Sequence, residues 1–237
     1  MAQPQLSKIL VIDVGGTHIK CFCGTAEEER FVSGPQMTAQ QMVDGVLKIA
    51  GRRRFTAVSI GYPGAVKNGR PLREPVNLGT GWVDMDYEKA LGAPVRMIND
   101  AALQALGTYR SGTMLFLGLG TGLGTAAVVD GTVLALEVAH LPFRKGGSYE
   151  HYVGALGLKR LGVRKWRLRA IEVVELLRKA FVADDLVLGG GNAFRVIDHV
   201  KDARLVGEMS AYEGGVRLWR GNKPSRGPAA GRSARRR

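Results

Sequence analysis

Apolar and polar positions along this chain fall into short segments that change rhythm repeatedly. Ile9, Leu10, Val11 and Ile12 form an unbroken apolar run, which predicts a strand buried on both faces over 8–14. Further strands follow over 18–24 and near 30–33, then a helix over 39–50 and a strand over 55–61. A helix over 84–91 and a strand over 94–98 come next. The order then restarts, with a helix over 101–110 and strands over 113–118, 125–130 and 132–136, the last two joined at Asp130-Gly131. Helices over 149–161 and 165–182, a strand over 185–188, a helix over 192–200, a strand over 203–206 and a helix over 210–219 complete the series.

Two β-β-β-α halves emerge, each opening with strand, glycine turn, strand. The first turn is Asp13-Val14-Gly15-Gly16-Thr17, the second Gly120-Thr121-Gly122-Leu123-Gly124. The halves share little sequence, so the repeat is structural. It predicts one lobe over 1–99 and a second over 100–220, with the last helix free to pack back on the first lobe. Facing lobes with a glycine turn in each would grip a phosphate chain from both sides of a cleft.

Bulk composition narrows the setting. A chain of 237 residues, 45% hydrophobic and 23% charged, is ordinary for a soluble globular protein. No apolar run approaches the roughly 20 residues that span a bilayer, and the start MAQPQLSK lacks a secretory layout. The expectation is a cytoplasmic protein with no membrane partner. Cys21 and Cys23 are the only cysteines, too few for a zinc set, and read as reduced, buried small residues. The net charge of +13 is concentrated: eight basic residues follow Glu213, the last acid. Residues 221–237 read as a disordered basic tail, either solubilising or weakly polyanion-binding. A second cluster, Lys159, Arg160, Arg164, Lys165, Arg167 and Arg169, lies in a stretch without acids between Glu150 and Glu172. It either lines a groove for a long anion or forms one hydrated helix face.

Candidate chemistry gathers at the turns. Backbone amides of Gly15 and Gly16 with the Thr17 hydroxyl suit phosphate oxygens, and Asp13 is placed to hold Mg2+ or its water shell; the alternative is a tight hairpin with an incidental acid. Gly120, Thr121 and Gly122 offer the same to terminal phosphates. Neither G-x-G-x-x-G nor G-x-x-x-x-G-K-[ST] occurs there, which argues against a dinucleotide oxidoreductase or a P-loop NTPase. Asn99-Asp100 ends a strand and starts a helix. Asp100 is either an N-cap or a carboxylate aimed into the cleft, able to take a hydroxyl proton. Glu137, His140 and Glu150 suit vicinal hydroxyls, the alternative being a surface Glu beside a packed His. Gly64 and Asn77 lie in turns that can wall a sugar pocket. Gly189, Gly190, Gly191 and Asn192 can lie against an adenine ring or further phosphates.

Together these motifs resemble the ROK family of sugar kinases (repressors, open reading frames, kinases) in the actin-like ATPase superfamily, over about residues 8–219. The resemblance implies an α/β, two-domain actin-like (ribonuclease H-like) fold with an interdomain cleft. DVGGT at 13–17 resembles the first phosphate motif, GTGLG at 120–124 the second and LGGGNA at 188–193 the nucleotide-side motif. GYPG at 61–64 and Asn77 resemble the sugar-side loop. Asn99-Asp100 resembles the catalytic pair, with Asp100 as base toward the sugar 6-hydroxyl, and Glu137, His140 and Glu150 resemble the sugar ligands. Ala139 replaces a family Gly, and the cysteine-rich zinc loop is replaced by HLPFRKGGSYEHYVG, so no structural zinc is expected. That short basic region, with Lys20 on the second strand, is similar to the polyphosphate glucokinase branch. The implied activity is phosphorylation of glucose at O6 with Mg2+ and polyphosphate or ATP, the basic cluster at 159–169 being able to bind polyphosphate along its length. The alternatives are a non-catalytic sugar or polyanion sensor and a kinase for an amino sugar such as N-acetylmannosamine. A homodimer is implied by the resemblance alone. Seven residues before the first strand cannot hold a helix-turn-helix, so no specific nucleic-acid reading is expected.

Overall fold

The computed structural model describes residues 8–24, 27–207 and 209–220; the expected tail over 221–237 lies outside them. β1 (Ile9–Val14), β2 (His18–Cys23) and β3 (Glu29–Val32) form an antiparallel meander. α1 (Ala39–Ala50) crosses over, and β4 (Ala57–Tyr62) returns parallel to β1. A small hairpin of β5 (Val66–Lys67) and β6 (Arg70–Pro71), then α2 (Tyr87–Leu91), lead to β7 (Val95–Asn99), which closes a sheet ordered β3-β2-β1-β4-β7. All positions of β1 and β4 are buried, as expected of parallel strands covered on both faces.

α3 (Asp100–Thr108) opens the second half. β8 (Thr113–Leu119), β9 (Leu123–Val129) and β10 (Thr132–Leu136) repeat the meander. The hairpin β11 (Pro142–Arg144) and β12 (Gly147–Ser148) leads into α4 (Tyr149–Val153) and α5 (Ala155–Phe181), followed by β13 (Asp185–Gly189), β14 (Ala203–Leu205) and α6 (Ser210–Arg217). The second sheet, β10-β9-β8-β13-β14, has the strand plan of the first. The internal repeat read from the glycine turns is therefore present in the topology.

Several boundaries differ from expectation for local reasons. The helix expected over 84–91 starts only at Tyr87, because Asp86 caps it and the Glu74 carboxylate takes the Trp82 and Val83 N–H groups. The expected helix over 192–200 is two 3-10 turns, Ala193–Arg195 and Ile197–His199, parted at Val196 where φ reaches −120°. The break expected near 162–164 is present at Gly162, whose non-helical backbone (φ 72°, ψ 159°) divides α5 in two; a further break at Gly154, where a Cβ would press on Thr121 O at 2.9 Å, was not expected. The two small hairpins escaped the sequence reading because two- and three-residue strands carry no periodicity. Among the described residues no helix is long and apolar enough to cross a membrane.

The halves are joined through α6. A Cβ on Gly107 of α3 would overlap Ser210 O, and one on Gly214 of α6 would overlap Leu103 O, so the two helices touch backbone to backbone. The far side of α6 presses Gly215 against Val11 of β1. Ser59 Oγ, buried in β4, donates to Gly215 O (2.6 Å) and accepts from Trp219 Nε1 (2.9 Å). The Arg96 guanidinium covers the Trp219 ring at 4.4 Å. We expect Gly214→Ala to cost about 3 kcal/mol or more in urea unfolding, the upper end of overpacking penalties. A change within about 0.5 kcal/mol, the size of ordinary surface substitutions, would show that the crossing is looser than described.

Candidate active site

The centre of the site is a glycine that makes room for two acids. Gly61, next to last in β4, lies beside Asp13 of β1 and against α3. A Cβ there would stand 3.4 Å from Asp13 Oδ1, 3.4 Å from Asp100 Cα and 2.8 Å from Leu103 Cδ2. The ends of three chain segments thus converge where only a hydrogen atom fits.

Asn99 is the N-cap of α3: its Oδ1 accepts from Ala102 N (3.1 Å) and its Nδ2 donates to Gly64 O (3.2 Å). Capping therefore falls to Asn99 rather than Asp100, whose carboxylate accepts only from Ala101 N (2.7 Å) among the described hydrogen bonds. Burial pushes the Asp100 carboxyl up to about 7; Asp13 and Glu137 add to this, and the Ala101 N–H opposes it. Asp13 is pushed up to about 6, again chiefly by burial, with Lys20 opposing and Glu28 adding. Lys20 pairs with Asp13 in the β1–β2 register, and its Nζ lies 3.7 Å from Glu28 Oε2, so it sits beside the acid and away from the turn tip.

The first glycine turn is held by Gly15 N–H to His18 O (3.0 Å) and Ser33 Oγ–H to Gly15 O (2.6 Å), leaving Thr17 exposed. Gly16 lies against Asn77, where an added Cβ would be 3.3 Å from the Asn77 Cβ. The loop carrying Asn77 is braced by Glu74, and Tyr62 Oη donates to Arg73 O (2.8 Å). Glu74 and Ser33 escaped the sequence reading, since neither lies in a glycine turn or a catalytic pattern.

In the second turn, Gly120 N–H bonds Gly122 O (3.1 Å), and Glu150 Oε2 accepts from Leu123 N (3.1 Å). Ala155 N–H bonds Thr121 O (2.9 Å), so α5 starts on this turn. The Gly189–Asn192 loop reaches the same place: Asn192 N–H bonds Leu119 O (2.9 Å), and a Cβ on Gly190 would stand 2.8 Å from Gly120 N. Gly120, Thr121, Gly122, Gly189, Gly190, Gly191 and Asn192 therefore form one glycine-rich surface. It adjoins Asp100, because Gly124 lies against Ala101: a Cβ added to Gly124 would stand 3.0 Å from the Ala101 Cβ.

Glu137 precedes and His140 ends a 3-10 turn; both side chains are exposed, 3.6 Å apart, while Ala139 between them is buried. Tyr149 N–H bonds Leu141 O (3.1 Å), bringing the start of α4 to that turn, but no described hydrogen bond joins Glu137 or His140 to Glu150. Between them the β11–β12 segment is packed by Phe143 against Tyr149 and Tyr152, at 5.1 and 5.5 Å between ring centroids.

Among the described residues no point gathers three or more His, Cys, Asp or Glu. Mg2+ commonly binds through one or two carboxylates, its remaining positions going to water and phosphate oxygens. Asp13 fits that need, a buried hard oxygen donor at the end of β1 beside the first glycine turn, with only Lys20 to offset its charge.

A family model described as "ROK family" matches residues 9–135. Polyphosphate glucokinase of Mycobacterium tuberculosis (strain H37Rv) is 27% identical over 150 residues, 56% of this chain and 56% of the relative. That of Mycobacterium leprae is 23% identical over 202 residues, 76% and 62% of the two chains. The match thus spans little more than half the length of these curated relatives. Among solved structures, the inorganic polyphosphate/ATP-glucomannokinase from Arthrobacter sp. strain KM superposes with a TM-score of 0.74 at 22% identity, covering 92% of this chain and 99% of that one. A ROK family glucokinase from Streptomyces griseus, in complex with glucose and AMPPNP, gives 0.70 at 18%, covering 89% and 99%. The fold is accordingly the two-domain, actin-like α/β fold with paired sheets.

The raised carboxyls fix the sign of a pH effect. Where the folded pKa exceeds the unfolded value, the folded state binds the proton more tightly, so these groups lower stability as pH rises from about 4 to about 7. Asp13→Asn should therefore be more stable than wild type at pH 8 and level with it near pH 4, measured by urea unfolding at both. A variant less stable than wild type at pH 8 would contradict a buried, poorly compensated carboxylate.

Proposed function

The chain belongs to the ROK family, and from that premise we propose that it is a hexose kinase transferring a phosphoryl group to O6 of glucose from polyphosphate, ATP or both. The observation that carries the reading is the Asp100 carboxylate. Asn99 relieves it of capping, and its pKa of about 7 suits a base working near neutral pH.

In this reading the sugar lies between the Gly64 and Asn77 side of the first lobe and Glu137, His140 and Glu150 of the second. Asn99, held to Gly64, keeps the floor of the pocket in register with Asp100. Asp100 takes the proton of the 6-hydroxyl as that oxygen bonds to phosphorus and the donor's bridging P–O bond breaks. Gly15, Gly16 and Thr17 hold donor oxygens from one side and Gly120, Thr121 and Gly122 from the other, with Lys20 adding positive charge near Asp13. Gly189 to Asn192 form the nucleotide side when ATP is the donor. Asp13 would hold Mg2+, which when bound supplies charge neutralisation for the phosphoryl oxygens. Transfer of this kind needs mainly positioning and charge compensation, and two lobes bearing paired turns provide both. A lobe division at 1–99 and 100–220, a homodimer and a cytoplasmic setting belong to the same proposal. Polyphosphate as a donor is supported by the mycobacterial relatives and the Arthrobacter enzyme, whose names carry it.

The test is a coupled glucose 6-phosphate assay run in parallel with ATP and long-chain polyphosphate; no turnover of any hexose with either donor would overturn the kinase reading. Asp100→Asn should retain glucose binding in calorimetry while kcat falls by about 10²–10⁴, the usual worth of a general base. Full activity in that variant would remove Asp100 from the role.

A further inference from the structure

We propose that the first half of α5 is a docking track for the trailing part of an inorganic polyphosphate chain whose end lies at the glycine turns. This deepens, and rests on, the kinase reading above. The starting observation is uncompensated charge. Lys159, Arg160, Arg164 and Lys165 are exposed, with Arg167 and Arg169 partly so, and no acid interrupts them before Glu172. Glu172 is already engaged by Arg169 (2.9 Å) and by Arg144 from the β11–β12 hairpin. Among the described residues, Lys159, Arg164, Lys165 and Arg167 take part in no ion pair. The hairpin tip adds Lys145, also exposed. A group of like charges that gains nothing within the fold stands ready for an external anion.

Place decides which anion. α5 begins on the second glycine turn, where Ala155 N–H bonds Thr121 O, and Lys159 follows one helical turn later, about 6 Å along the axis. A linear anion leaving the turns therefore meets these cations with no gap to cross. The kink at Gly162 redirects the helix within the basic stretch. Arg160 is anchored, its Nη2 donating to His151 O at 2.9 Å and its guanidinium lying 5.4 Å from the Tyr152 ring centre, so part of the track is ordered in advance. Leu156 and Leu168 are exposed on the same helix. A two-fold contact between copies there would bring two of these cationic sets face to face, which disfavours a second copy as the occupant. Aromatic platforms for stacking bases are sparse, since Trp166 is buried and Tyr152 already carries Arg160. Polyphosphate, with charge on each repeating unit and no base to stack, suits the surface better than RNA.

The experiment compares the full-length wild type with the triple variant Lys159→Gln, Arg164→Gln, Lys165→Gln, chosen to leave Arg160 and its contacts intact; thermal unfolding verifies that it folds. Binding of long-chain polyphosphate is titrated at several salt concentrations without sugar. The variant should bind about tenfold or more weakly, and its log K against log [salt] slope should be shallower by about 2, the share of three released counterions. In the coupled assay KM for long-chain polyphosphate should rise, while KM and kcat with ATP stay within about twofold, because ATP is too short to reach the track. Absence of polyphosphate binding by wild type, or unchanged affinity in the variant, overturns the track. So does single-stranded RNA of equal charge binding as tightly as polyphosphate. If polyphosphate binding is lost as expected but neither donor phosphorylates any hexose, the kinase reading fails: the basic surface stands as a polyanion site and its donor role falls.

Discussion

Backbone contact between α3 and α6 is the constraint on which the remaining structure depends. Gly107 and Gly214 remove the side chains that would separate the helices, and Gly215 removes the one that would hold α6 away from β1. With α6 lodged there, α3 has one available position, and the first residue of α3 is Asp100. The same helix packs on β9 through Ala101 and Gly124. A single close-packed junction thus sets where one half's acid stands relative to the other half's glycine turn. Packing of this density transmits small displacements, so the placement is precise only while the junction is tight.

Electrostatics at the centre follow from that packing. Asp13 and Asp100 are drawn together over Gly61 in surroundings that disfavour charge, and only Lys20, beside Asp13, offsets them. Such an arrangement weakens the fold, a cost in keeping with the base near neutrality proposed for Asp100. Asn99 makes this possible: by taking both the helix cap and the link to Gly64, it frees the next residue from structural duty.

The strands and their repeat were legible because parallel strands buried on both faces are written as continuous apolar runs, as in Ile9–Ile12, and glycine turns punctuate them clearly. Asp13 and Asp100 were legible for a related reason: acids at the ends of apolar strands are conspicuous. What could not be read were interactions that redirect backbone donors across long separations. Glu74 takes the amides of Trp82 and Val83 and delays α2; Leu119 O takes the amide of Asn192 and ties the Gly189–Asn192 loop to the second turn. Periodicity carries no trace of either. Glu150 illustrates a finer limit, since its residue type suited hydroxyls while its bond to Leu123 N–H, tying α4 to the second turn, follows only from three-dimensional placement.

Ser59 carries a consequence for the order of events during synthesis. Its hydroxyl lies in the middle of a wholly buried strand, and its partners Gly215 and Trp219 are 156 and 160 residues further along the chain. The first sheet can assemble early from local pairings, but until α6 is made it carries an unpaired hydroxyl and an uncovered apolar face, including Ile9 and Val11. Contacts that distant are slow to close and leave nascent surface open meanwhile. Completion of the first sheet is therefore postponed until α6, the last helix among the described residues, has been made, and that helix then seals the first sheet formed.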